Sequence, residues 1–238
     1  MNALFRRPTP MPPPVIRSTS RTHVGRVRRV NEDRLLDAPD RALWVVADGM
    51  GGHSAGDVAA EALVAYLAAS GPLPDAASLE AALVEANDAI REQTGGQGGT
   101  TVVALQIAGT TAMISWAGDS RAYLIRDGAL RLLTHDHSVV QQLIDAGVIT
   151  PEQALHHPHA NVITHALGTS TEVRIDTSAI ELMSGDRLLL CSDGLSRSLS
   201  DRDVSGECAL DPLADRMLTN ALQRDGHDNI SLILIEIG

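Results

Sequence analysis

VVADGMGGHSAGDVAAE, residues 45–61, decides how the chain is read. It continues an apolar run from Leu43 to Ala47, long enough for a buried strand and too short for a helix. Asp48 follows where that strand should end, and Gly49-Met50-Gly51-Gly52 comes next. Glycine at this density suits neither a strand nor a helix interior; it lets backbone approach a ligand or take positive φ. Ser54 then offers a helix cap, with Ala59, Leu63 and Leu67 along one face of the helix behind it. A carboxylate at a strand tip, on a loop free of side-chain bulk, suits a metal or phosphate site. The same residues also describe a plain strand-to-helix turn closed by an Asx bond from Asp48.

The pattern recurs further along. Leu188-Leu189-Leu190-Cys191 is a second buried run, ending in Ser192-Asp193-Gly194. Asp228-Asn229 precedes a strand over 230–237 that is apolar on both faces and so belongs inside layers covered on both sides. Short strands are expected over 100–107, 111–116 and 121–125, with Gly109-Thr110 as the first turn and Gly118-Asp119-Ser120 as a hairpin turn between the last two. Upstream, residues 21–37 hold Arg28, Asn31, Glu32 and Asp33; in an extended chain Arg28 and Glu32 share a face and Asp33 takes the other. Alone, that segment reads as a charged edge strand.

Helices fill the gaps. Leu79, Leu83, Ala86 and Ile90 predict one from near Ser78 to Gln93, broken by Gly95. A helix pair is expected over 135–157, the first from near Asp136 to Ala146 and the second opened by Thr150-Pro151-Glu152-Gln153. Asp211-Pro212 reads as the cap of a last helix bearing Leu213, Met217 and Ala221 on one face. His156, His157 and His159 raise structural zinc, but Pro158 interrupts them and no cysteine or acid lies at ligand spacing.

Composition narrows the partners. The chain has 238 residues and a net charge of −11, which argues against nucleic acid. Residues 1–29 carry seven arginines and no acid, so the remainder holds 12 basic and 30 acidic side chains. With only Phe5, Trp44, Tyr66, Trp116 and Tyr123 as aromatics, the core must be aliphatic. Cys191 and Cys208 fit a reducing, cytoplasmic compartment, and neither a secretory h-region nor a membrane-length apolar run is present. The prolines at 8, 10 and 12–14 predict a disordered Pro/Arg-rich tail over residues 1–17.

Asp48, Asp193 and Asp228 each adjoin a buried strand, and Asp119 lies in a turn. Anions packed together repel unless a cation sits among them, and oxygen donors without Cys or His point to Mg²⁺ or Mn²⁺. In this light the chain resembles the bacterial protein phosphatase 2C family of metal-dependent Ser/Thr phosphatases. The matching pieces are RRVNED (28–33), ADGMGGH (47–53), GGTT (98–101), AGDSRAY (117–123), THDHS (134–138), NVITHALG (161–168), LCSDGL (190–195) and DN (228–229), in the family's order across 18–238.

The resemblance implies an α+β fold, a four-layer α-β-β-α sandwich with two central antiparallel sheets flanked by helices, and a flap over roughly 137–160. It implies that Asp48 bridges two ions with the Gly49 carbonyl on one, that Asp193 and Asp228 hold the other, and that Glu32 and Asp33 are direct ligands or bind through water. Asp119 matches the ligand of a third, looser ion, and Arg28 the arginine that grips the phosphate. The implied reaction is direct attack of a metal-bridging hydroxide on phosphoserine or phosphothreonine. Arg28, Asp48, Asp193 and Asp228 are its central residues. The implied setting is a cytoplasmic monomer whose partners are a phosphoprotein and a cognate Ser/Thr kinase, with type VI secretion control among the pathways. Met50 stands where animal members carry a proton-donating His, leaving His53, a flap His or a metal-bound water for that role.

Two rivals remain. CSDGLSR (191–197) has the C-x5-R spacing of cysteine-dependent phosphatases, although Asp193 would put a negative charge inside an anion cradle. The other is a catalytically inactive, phosphoprotein-binding module of the same fold, which would be expected to have lost acids that this chain keeps.

Overall fold

The structure, a computed structural model, describes residues 15–52 and 55–238. The Ser54 cap, His53 and the tail before residue 15 lie outside the described residues.

The chain opens with β1 (Ile16–His23), β2 (Asp33–Ala38) and β3 (Leu43–Gly51), then α1 (Ala55–Ala69) and α2 (Ala76–Thr94). β4 (Gly98–Thr100), β5 (Val102–Ala108), β6 (Thr111–Ala117), β7 (Arg121–Arg126) and β8 (Ala129–Leu132) follow. Next come α3 (Val139–Asp145), α4 (Pro151–Ala154), β9 (Asp176–Glu181) and β10 (Arg187–Cys191). α5 (Asp193–Ser196), α6 (Asp201–Val204), α7 (Leu210–Arg224) and β11 (Ile230–Ile237) complete it.

Two antiparallel sheets result, one ordered β1-β11-β10-β7-β8 and the other β2-β3-β5-β6-β9, with β4 added to β3. Strand alternation divides the aliphatic residues among three interiors. Leu43, Val45, Ala47, Val102 and Ala104 pack on Leu63, Leu67, Leu83 and Ile90 of α1 and α2. Their neighbours Trp44, Val46, Val103 and Leu105 meet Leu188, Leu190, Ile233 and Ile235 between the sheets. Leu189, Leu232 and Leu234 face Leu213, Met217 and Ala221 of α7. The two-sheet, helix-flanked arrangement expected from the resemblance is therefore the one observed, and β11 is buried on both faces for the reason its sequence suggested.

Local chemistry sets the ends of the helices. Asp75 and Ser78 form a reciprocal capping box at the start of α2, and Gly95 ends it at φ 60°. Thr150 and Gln153 do the same for α4, and Ser138 caps α3. Among the described residues no helix is long and apolar enough to cross a membrane.

Four expectations are corrected. β1 begins at Ile16, so Ile16 and Arg17, assigned to the tail, are paired with Ile237 and Glu236. Residues 28–32 are not a strand but a loop ahead of β2. Gly118-Asp119-Ser120 is no hairpin turn: β6 and β7 lie in different sheets, and these residues carry the chain across. Asp211 does not cap α7, which starts at Leu210; its carboxylate accepts from Thr19 Oγ1 at 2.6 Å and ties the helix to β1.

Candidate metal and phosphate site

The acids collect where the two sheets meet. Register places Asp33, the first residue of β2, opposite Asp48 near the end of β3. The Asp48 carbonyl accepts from Thr101 N at 2.9 Å and Thr100 Oγ1 at 3.1 Å, and its amide donates to Thr101 Oγ1 at 3.2 Å. Thr100 in turn exchanges backbone hydrogen bonds of 2.9 Å with Leu167. The GGTT and NVITHALG segments thus build the frame behind Asp48. Gly49 is required: a Cβ there would lie 2.3 Å from the Gly56 carbonyl oxygen and 2.7 Å from that of Glu32.

The other sheet supplies Asp193, the first residue of α5 after β10, and Asp228 just before β11. A Cβ on Gly194 would fall 2.1 Å from the Asn229 carbonyl oxygen, so these two loops touch backbone to backbone. Asn229 holds the arginine loop: it accepts from Glu32 N at 2.8 Å and donates to the carbonyls of Val24 and Val30 at 2.9 and 3.0 Å. Ser192 Oγ donates to Asp33 Oδ2 at 2.8 Å across the seam. Asn229 and Ser192 carry no assigned role in the sequence reading; membership of the DN and LCSDGL motifs was their only signal.

The charges are unbalanced. Burial, then repulsion from Asp33, Asp193, Asp119 and Asp228, pushes the Asp48 carboxyl well above its ordinary range. Burial raises Asp33 to about 7, against hydrogen bonds from Ser231 and Ser192 that favour the anion. Burial and Asp193 raise Asp119 to about 7. Burial likewise raises Asp193 and Glu32. Two cations sit at the edge: Arg28 Nη2 donates to Asp228 Oδ2 at 2.8 Å, and Arg197 is ion-paired with Asp193. Among the described residues, Asp33 Oδ1 and Asp119 Oδ1 are buried with no hydrogen-bond partner.

All eight residues named from the sequence therefore fall in one neighbourhood, drawn from both sheets and the turn between them. Among the described residues no three His, Cys, Asp or Glu side chains are drawn together as a ready-made cage, and Asp193 and Asp228 turn to arginines instead. The donor set still fits a hard divalent cation: oxygen only, mutually repelling, with two buried carboxylate oxygens unsatisfied. It does not fit a thiolate enzyme. Cys191 is fully buried at the end of β10, and burial pushes its thiol to about 12.

Comparison with known proteins agrees with this geometry. Residues 21–234 match the protein phosphatase 2C family. The chain is 36% identical to the serine/threonine phosphatase Stp of Listeria welshimeri, covering 91% of this chain and 94% of that protein. It is 36% identical to PppA, described as a key regulatory component of the type VI secretion system in Pseudomonas aeruginosa; the TM-score is 0.85, with 94% and 98% of the two chains covered. The PstP catalytic domain, solved in complex with two manganese ions, is 37% identical with a TM-score of 0.81 over 94% and 99%. With acids, sheets and sequence in agreement over nearly its whole length, the chain belongs to the protein phosphatase 2C family of metal-dependent protein phosphatases.

Proposed function

We propose that the chain hydrolyses phosphoserine and phosphothreonine in proteins, with Mn²⁺ or Mg²⁺, and so reverses a partner Ser/Thr kinase. The observation that carries this reading is the meeting of Asp33 and Asp48 from one sheet with Asp193 and Asp228 from the other, beside Arg28. Asp48, Asp193 and Asp228, with Glu32, Asp33 and the Gly49 carbonyl, would hold two divalent ions, and Asp119 a third. Such ions supply positive charge and a water of lowered pKa. Arg28 meets the phosphate: its guanidinium carries five donors and only one is engaged on Asp228, so the fork remains for phosphoryl oxygens. Attack is direct, since the one cysteine near the site is buried and protonated. The segment over roughly 137–160, its base closed by Val139 N donating to the Val162 carbonyl at 2.9 Å, would flank the substrate as the flap. Together with Asp119 and Arg197 it walls a cleft of about 420 Å³.

The likeness to PppA suits control of type VI secretion, while the equal likeness to Stp and PstP suits other kinase-paired pathways as well. The deciding assay is phosphate release from a phosphothreonine peptide. Turnover with Mn²⁺ and none with EDTA is expected; tight binding without turnover at any metal concentration would establish the inactive-module reading instead.

A further inference from the structure

The THDHS segment, matched above only by resemblance, has no part in the chemistry just described. Its second histidine, His137, is 6% exposed and lies at a junction. The His137 backbone N–H donates to the Gly118 carbonyl at 2.9 Å, and its carbonyl accepts from Thr164 N at 2.7 Å. Ser138 and Ile163 form a β-bridge next to it, so both feet of the α3–α4 segment are tied at this residue. The ring is as constrained as the backbone. Gly118 N–H donates to Nδ1 at 3.3 Å, which leaves the ring proton on Nε2, 3.2 Å from Asp176 Oδ2. Trp116 stacks on the ring with centroids 6.4 Å apart, and His165 meets it edge-on at 4.9 Å. Burial lowers the imidazole pKa against the pull of Asp176, and the lowering favours the neutral ring that an accepting Nδ1 requires.

Gly118 is held as tightly as the ring it meets. It sits at φ 114°, where a side chain is strained, and a Cβ would meet Thr101 at 2.6 Å. Its peptide is therefore aimed by its surroundings, and its two hydrogen-bonding groups both end on His137. The next residue is Asp119, whose Oδ1 is buried and has no partner among the described residues.

We infer that His137 is a positioning residue that fixes the Gly118-Asp119-Ser120 crossing through Nδ1 and couples it to the base of the α3–α4 segment. The consequence for metal rests on the reading of Asp119 as an ion-holding residue. The geometry of the crossing does not.

Two substitutions separate the ring's two jobs. H137N places an amide oxygen where Nδ1 accepts; H137Q places an amide nitrogen where Nε2 donates to Asp176. Both remove the ring packing, so a merely structural role predicts equal effects. The expected result is similar melting temperatures, with Gly118 amide exchange protected in the wild type and H137N and lost in H137Q. Calorimetric titration with Mn²⁺ should show the weakest site about five- to tenfold weaker in H137Q only, the scale of one hydrogen bond left unmade beside a buried group. Equal Gly118 exchange in the two variants would overturn the proposal. Asp119→Ala is the control. If it leaves the Mn²⁺ isotherm unchanged, the metal reading of Asp119 fails while Gly118 exchange still judges His137. Should neither variant fold, ¹⁵N spectra of the wild-type imidazole decide: an Nε2–H tautomer with bare Nδ1 is required, and an Nδ1–H ring refutes the assignment.

Discussion

Cys191 and Asp193 are two residues apart, and competing mechanisms value them oppositely. Cys191→Ser is expected to keep most activity and to lose about 1–2 kcal/mol of stability from the buried hydroxyl. Asp193→Asn removes charge from the acid ring, and activity should fall by orders of magnitude with weakened Mn²⁺ binding. Assay of both on a phosphothreonine peptide, beside calorimetry, reads the outcome; an inactive, folded Cys191→Ser beside an active Asp193→Asn would sink the metal reading. Arg28→Ala should lower kcat/KM by about tenfold to a few hundredfold, the scale of one charge-assisted phosphate contact worth about 1.5–3 kcal/mol. Unchanged kinetics would put Arg28 away from the phosphate.

At the scale of elements, Asp48, Asp193 and Asp228 were legible because each adjoins a buried apolar run, a pattern visible within ten residues, whereas Glu32 and Asp33 came from the family resemblance alone. What joins the acids was not legible. Nothing local tells a hairpin turn from a crossing between sheets: both need a residue like Gly118 at positive φ, and only the partners of β6 and β7 distinguish them. Asn229 was opaque for a similar reason, since the carbonyls it holds lie 205 and 199 positions away. Asp211 carried a valid cap signal that tertiary contact with Thr19 overrode. Two tests follow. Gly194→Ala forces apart the loops bearing Asp193 and Asp228; a loss of about 1–3 kcal/mol with weaker Mn²⁺ binding is expected in denaturant and calorimetric titrations. Deleting residues 1–17 should lower the melting temperature below that of a 1–14 deletion, because it takes Ile16 from the inter-sheet core and Arg17 from Glu236. Equal melting of the two would show that the first turn of pairing in β1 contributes nothing.

The whole molecule holds its acids at a cost that depends on pH. Asp33 and Asp119 keep protons to about pH 7 in the folded chain, against an ordinary carboxyl value of 3.8. Between those values the folded state binds more protons than the unfolded, so this contribution to stability is present at low pH and lost as pH rises toward 7. A divalent cation among the carboxylates removes the penalty. The gap in melting temperature between Mn²⁺ and EDTA samples should be small at pH 5 and exceed about 5 °C by pH 8. A gap independent of pH would mean that metal binds elsewhere.

The pairing of β1 with β11 has a consequence for how the protein is made. Arg28 and Asp228, hydrogen-bonded in the finished site, are 200 positions apart, and among the described residues β1 has no strand partner but β11. During synthesis the arginine loop leaves the ribosome first and waits, for about 10–40 s at ordinary elongation rates, until Asp228, Asn229 and the strand behind them emerge. A nascent chain can therefore hold α1, α2 and most of one sheet and still lack the pairing of Arg28 with Asp228. The two halves of the acid site come together only when β11, with Asp228 and Asn229 just ahead of it, threads between β1 and β10.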